Sequence, residues 1–118
     1  MKLMIVDDSA EMRKSIRSIV TNTRDTVFEC ENGSQVLPIY VKEHPDYVLM
    51  DINMPVMNGI EATRNLIAKF PEARVLIISN YNDDEFRKEA EESGAIKYFV
   101  KDNLIDIKTY LLKDWVIN

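Results

Sequence analysis

The chain has 118 residues, 46% of them hydrophobic and 30% charged, with a formal net charge of −5, a length and composition that suit one globular domain. An acidic balance with no lysine or arginine cluster argues against direct binding of nucleic acid or an anionic membrane, and the single cysteine, Cys30, excludes an internal disulfide framework. No apolar run approaches the roughly 20 residues of a membrane span, and the stretch Met1–Val6 is too short for a signal peptide, so a cytoplasmic location is expected.

Leu3 to Val6 is the first apolar run, ended by Asp7-Asp8. Apolar residues then fall at Met12, Ile16, Ile19 and Val20, the spacing of a helix with one buried face. Asp8 or Ser9 can cap it and Glu11 suits its first turn, while Arg13, Lys14 and Arg17 are expected on the other face. Thr26–Cys30 is a weaker strand of mixed polarity, which suits a sheet edge. Asn32-Gly33 turns the chain, Ser34 starts a second helix through Val36, Leu37, Tyr40 and Val41, and His44-Pro45 ends it. Pro38 falls about one turn into this helix, where its missing N–H costs least.

Tyr47-Val48-Leu49-Met50 runs straight into Asp51. A run this short and apolar reads as a strand buried on both faces, as in parallel sheets covered by helices. Met54-Pro55 closes it. Asn58-Gly59 leads into a third helix with Ile60, Thr63, Leu66, Ile67 and Phe70 on its buried side, stopped by Pro71. Val75–Ile78 is the most apolar strand and ends at Ser79. The charged helix that follows Asn82-Asp83-Asp84-Glu85 has only Phe86 and Ala90 to bury, so it is expected to be loosely held. Ser93-Gly94 ends it. Ile96–Val100 is the last strand, ended by Lys101-Asp102, and a final helix carries Leu104, Ile107, Leu111 and Trp115, with Leu112 beside them. Trp115 is expected as a core anchor, Cys30 as a small strand residue, Met54 as packing and His44 as a loop residue remote from the other polar positions.

Five strand–helix units in strict alternation, joined by short connections, require right-handed crossovers. The fold class is therefore α/β: a doubly wound, five-stranded parallel sheet with helices on both faces and the flavodoxin-like order 2-1-3-4-5. One domain over residues 1–118 is expected, with no output domain.

Ligands of such sheets bind outside the carboxyl ends of the strands. There the first strand ends in Asp7-Asp8, the third in Asp51, the fourth in Ser79 and the fifth in Lys101. Each is ordinary alone; Asp7-Asp8 could be a turn and a helix cap. Together they bring three carboxylates, a hydroxyl and an ammonium to one end of the sheet. Clustered carboxylates repel one another, and a hard divalent cation such as Mg2+ resolves this. A cation beside a lysine suits a phosphoryl group in transfer, and a carboxylate can be the nucleophile, giving an acyl phosphate. With three glycines and no glycine-rich phosphate loop, a nucleotide is not the obvious ligand.

Over essentially its whole length the chain resembles the receiver domain of two-component response regulators. The matching residues are Asp7-Asp8, Asp51-Ile52-Asn53-Met54-Pro55 with Gly59, Ser79, and Gly94-Ala95 leading to Tyr98 and Lys101. The resemblance implies a phosphoacceptor signalling domain rather than an enzyme acting on a separate substrate, one that catalyses its own Mg2+-dependent phosphorylation and dephosphorylation. It implies that Asp51 takes a phosphoryl group from a histidine kinase or phosphotransfer protein. Asp8, Asp51 and the Asn53 carbonyl would hold Mg2+, with Asp7 assisting through water. Ser79 and Lys101 would hold the phosphoryl oxygens, and Tyr98 would be an aromatic switch. A downstream protein, or a second copy of the chain, would bind the 84–112 face. Two residues depart from the family pattern. Asp102 follows Lys101 where a cis proline is frequent, so a trans bond is expected. Asn80 follows Ser79 where a small residue is usual, which would crowd the phosphoryl site. Asn53 and Tyr81 stand where the family tunes dephosphorylation.

Three rival readings have distinct requirements. A small aspartyl-phosphate phosphohydrolase also has a nucleophilic aspartate after a strand, but it needs a second acid where this chain has Asn53, and it would turn over phosphate esters. A flavin-binding module would need a hydroxyl- and glycine-rich loop where Asp7-Asp8 stands. A non-phosphorylated interaction domain would have lost a site residue, and none is lost.

Overall fold

The apolar runs form parallel strands and the stretches between them form helices. The computed structural model describes residues 1–117, in the order β1 (Lys2–Val6), α1 (Ala10–Val20), β2 (Thr26–Cys30), α2 (Val36–Glu43), β3 (Tyr47–Asp51), α3 (Gly59–Lys69), β4 (Val75–Ser79), α4 (Asp84–Ser93), β5 (Lys97–Val100) and α5 (Leu104–Ile117). The sheet order is β2-β1-β3-β4-β5, and every pairing is parallel. The winding reverses between β1 and β3, and a crevice at the carboxyl ends follows from that reversal.

β3 and β4 are buried at every residue. The edge strands are not: Thr26, Glu29 and Lys97 are exposed. Successive side chains alternate across the sheet, so each inner strand feeds two core layers. Leu3, Ile5, Leu49 and Leu76 pack with Ile16 of α1 and Ile107 and Leu111 of α5. Met4, Met50 and Ile77 pack with Val36 and Tyr40 of α2, Leu66 of α3 and Ala90 of α4. Side-chain caps set three helix starts: Ser9 accepts from the Met12 N–H at 3.1 Å, Asn58 from Glu61 at 2.9 Å and Asp83 from Phe86 at 2.8 Å.

Several local expectations are corrected. α2 begins at Val36, because Gly33–Gln35 forms a 3-10 turn capped by Asn32; Ser34 belongs to that turn. Pro38 is then the third residue of α2, among the first four N–H positions that need no partner within the helix. Ile96 is exposed and precedes β5. Ile19, Val41 and Leu112 are exposed rather than buried. Trp115 is 43% exposed and is not a core anchor. The buried stripe of α5 stops after Leu111, where Asp114 accepts a hydrogen bond from the hydroxyl of buried Tyr47. Arg74 covers the Tyr47 ring at 5.4 Å. Burial first, then Asp114, pushes the Tyr47 hydroxyl up to about 12. His44 ends α2 in the left-handed region and packs edge-on against Tyr40 and Phe70. Cys30 is buried in its strand, with burial pushing its thiol up to about 11. Met54 packs on the core.

Candidate functional site

β1 delivers Asp7 and Asp8. The Asp7 N–H continues the ladder with β2 by donating to the Cys30 carbonyl at 3.1 Å. Its carboxylate is buried, and Oδ1 accepts the Ser9 N–H at 2.9 Å. Asp8 follows and is exposed. Asp51, the last residue of β3, is buried. Asp7, Asp8 and Asp51 each offer a carboxylate oxygen, and these oxygens lie within 4.8 Å of one another.

Lys101 arrives from the end of β5. Its N–H donates to the Ser79 carbonyl at 2.8 Å, so β4 fixes its backbone. Its Nζ lies 2.9 Å from Asp7 Oδ2 and 3.1 Å from Asp51 Oδ1. Burial, reinforced by the Asp7 charge, pushes Asp51 up to about 6, although Lys101 pulls the other way. Burial alone would lower Lys101, but its bond to Asp7 and the charges of both aspartates outweigh this and raise it.

The donor set fits a hard divalent cation. Three carboxylate oxygens converge, from buried Asp7 and Asp51 and exposed Asp8, and among the described residues the one ammonium beside them, Lys101, touches only Asp7 and Asp51 of the three. Three carboxylates against one ammonium leave negative charge that a cation with oxygen ligands balances. Asn53 is exposed two residues after Asp51.

Ser79 is buried at the end of β4, and its Oγ accepts the Tyr81 N–H at 3.1 Å. An accepting hydroxyl still carries its own hydrogen to donate. The Tyr81 carbonyl in turn accepts from the Tyr98 hydroxyl at 2.6 Å. Ser79 and Tyr98 are therefore linked through one residue, Tyr81, whose ring stacks on Phe86 at 5.2 Å. The Arg87 guanidinium lies 4.6 Å over the Tyr98 ring and donates to Asn82 Oδ1 from two nitrogens, at 3.1 and 2.7 Å. Asn80 is exposed, and the Lys101–Asp102 bond is trans as expected.

Arg13 departs from the solvent face expected for it. Its side chain is only 12% exposed, with Nη1 2.6 Å from the Asp7 carbonyl oxygen and Nε 2.9 Å from Glu29 Oε1. The only sign of this in the sequence was an acid, Glu29, one residue before the end of the mixed-polarity strand.

The family model described as response regulator receiver domain matches residues 3–111. A chemotaxis protein CheY of Listeria monocytogenes is 38% identical over 102 residues, which cover 86% of each chain. The transcriptional regulatory protein DegU of Brevibacillus brevis is 34% identical over 103 residues, covering 86% of this chain but 44% of that one. The chain thus spans about half the length of some of the curated relatives it matches and most of the length of others. Among solved structures, a chain of the CheX–CheY–BeF3–Mg2+ complex of Borrelia burgdorferi superposes with a TM-score of 0.79 at 25% identity, covering 95% of this chain and 89% of that one.

Proposed function

The chain belongs to the response regulator receiver domain family, and from that premise we propose that Asp51 accepts the phosphoryl group from a phosphohistidine of a histidine kinase or phosphotransfer protein. The domain is a signalling phosphoacceptor of a two-component system. The observation that carries the assignment to Asp51 is its place at the end of β3, 3.1 Å from Lys101 and within ligand reach of Asp7 and Asp8.

With its titration near 6, Asp51 is ionised at neutral pH and nucleophilic. A carboxylate oxygen attacks phosphorus, the phosphorus–nitrogen bond breaks, and its electron pair leaves with the imidazole. The product is an acyl phosphate. Lys101 and the Ser79 hydroxyl donate to the phosphoryl oxygens as their charge develops. Asp8, Asp51 and the Asn53 carbonyl would hold Mg2+, with Asp7 acting through water, and the ion would supply charge neutralisation for the transferring group. The related Borrelia complex, which contains BeF3 and Mg2+, supports this reading. Attack of water on phosphorus then breaks the bond to the Asp51 oxygen, releasing phosphate and regenerating Asp51, and Asn53 and Tyr81 occupy the positions at which the family tunes that step. The phosphohydrolase alternative is disfavoured by Asn53, which offers no second acid.

The new charge, about −1.5 to −2, draws Ser79 toward Asp51. Ser79 is bonded to the Tyr81 N–H and Tyr81 to the Tyr98 hydroxyl, so the pull reaches β5. α4 buries only Ala90 and Ser93 and yields readily. The partner, or a second copy of the chain, binds the 84–112 face in the phosphorylated state. No helix among the described residues is long and apolar enough to cross a membrane, and the proposed phosphorelay role goes with a cytoplasmic location.

The test is intact-mass measurement after incubation with Mg2+ and acetyl phosphate. Wild type should gain one phosphoryl group and Asp51→Ala none. An unchanged wild type, or equal gain in the variant, refutes the assignment.

A further inference from the structure

We propose that Arg13 is a positioning residue for the divalent-cation site: its guanidinium fixes the Asp7–Asp8 peptide and thereby the direction in which Asp8 presents its carboxylate. This rests on the metal reading above and goes beyond it by naming a group outside the acidic cluster that shapes it.

The two aspartates are held differently. Asp7 has its N–H bonded to Cys30, its Oδ1 to the Ser9 N–H and its Oδ2 beside Lys101. Among the described residues, no hydrogen bond or ion pair holds the Asp8 carboxylate. The position of Asp8 therefore depends on its backbone. The Asp7 carbonyl and the Asp8 nitrogen share one planar peptide, so a donor that fixes the carbonyl direction also fixes where Asp8 Cα lies. Arg13 Nη1, 2.6 Å from that carbonyl oxygen, is such a donor.

Arg13 is itself fixed. Nε donates to Glu29 Oε1 at 2.9 Å, and Arg17 Nη1 holds Glu29 Oε2 at 3.0 Å. The clamp thus ties the β1–α1 loop to α1 and to the edge strand β2. Two nitrogens pointing to two separate acceptors need the planar fork of arginine; a lysine ammonium has no such rigid geometry. Glu29 also offsets the guanidinium charge beside a site meant for a cation.

Charge and positioning predict opposite signs. If Arg13 acted only as a nearby positive charge, deleting it would tighten Mg2+ binding. If it positions Asp8, deleting it weakens binding, as loss of an outer-shell partner characteristically does. Calorimetric titration of the full chain with Mg2+ decides, with metal-free melting curves run on the same samples. Arg13→Ala should weaken binding about 10-fold or more. Glu29→Gln, which keeps an oxygen acceptor for Nε, should stay within about threefold of wild type, a change smaller than loss of the partner itself. In an Asp8→Ala background, Arg13→Ala should cost nothing further, since the residue it positions is gone. Should Arg13→Ala fail to fold, Arg13→Lys keeps the charge without the fork and carries the same expected loss. Equal or tighter binding after loss of the fork overturns the proposal, as does an undiminished loss in the Asp8→Ala background. A wild type that binds no Mg2+ overturns the metal reading and this proposal with it.

Discussion

A Cβ on Gly59 would stand 1.8 Å from the carbonyl oxygen of Asp51. The first turn of α3 lies directly on the backbone of the acceptor residue, and the Gly59 N–H donates to the Ile52 carbonyl at 2.9 Å. Helix propensity favours alanine over glycine by about 1 kcal/mol, yet here the methyl would collide with main chain, which cannot rotate away. Gly59→Ala should therefore destabilise by about 3–5 kcal/mol, in the range of severe steric changes. Urea melting checks this, and a neutral or stabilised variant would contradict the contact.

Asp51 also gives the metal-free protein a pH dependence. Its folded value of about 6 lies above its ordinary value of 3.8. Between the two, the native state holds a proton that the unfolded state has released. Stability from this group therefore falls as pH rises from about 4 to about 6 and stays low above that. The shift corresponds to about 3 kcal/mol. Asp51→Asn removes the charge that burial and Asp7 oppose. Without metal it should melt several degrees above wild type at pH 7.5, with the gap closing toward pH 4. A gap that is constant with pH, or a lower melting temperature for the variant at pH 7.5, would count against the crowding of these carboxylates.

Val56 has φ of 70° and is 84% exposed. A β-branched residue in the left-handed region is strained by roughly 1–2 kcal/mol, and an exposed side chain brings no burial in return. Asparagine tolerates that region. Val56→Asn should raise stability by about 1 kcal/mol in chemical denaturation. A loss would mean that the valine makes a compensating contact.

The link from Ser79 through Tyr81 to Tyr98 predicts a local effect. Tyr98→Phe keeps the ring under Arg87 but removes the 2.6 Å bond to the Tyr81 carbonyl. Global stability should change by about 1 kcal/mol or less, the net worth of one exposed hydrogen bond. Hydrogen exchange should quicken in residues 80–87. When BeF3 and Mg2+ are added, the exchange change expected across residues 84–104 should be reduced in this variant. Identical exchange in wild type and variant would separate Tyr98 from the loop.

Much of the fold was legible because each inner strand is an apolar run cut off by a polar residue. Met50 gives way to Asp51 and Ile78 to Ser79, so strand ends and polar cluster came from one pattern. The sheet order followed from alternation and from the mixed polarity of Thr26–Cys30. What stayed hidden depends on distances that sequence spacing does not carry. Trp115 continues the spacing of Leu111, but Asp114 takes the inward place because Tyr47 supplies a hydroxyl for it. Arg13 reads as a solvent residue unless Glu29 of β2, sixteen positions along the chain, is known to stand beside it. The strain at Val56 is a backbone property that its side chain argues against. The structure brings Asp7, Asp8, Asp51 and Lys101 together, whereas Ser79 reaches Lys101 through its backbone carbonyl and is joined to Tyr98 through Tyr81.

The bond between Tyr47 and Asp114 fastens α5 to the end of β3 opposite Asp51. The roughly ten residues from Leu104 to Asp114 span about 15 Å of helix. Buried Leu104, Ile107 and Leu111 seat the same stretch in the core. α5 is thus a splint laid along the sheet, seated from Leu104, three residues after Lys101, to the Tyr47 hydroxyl at the far end of β3.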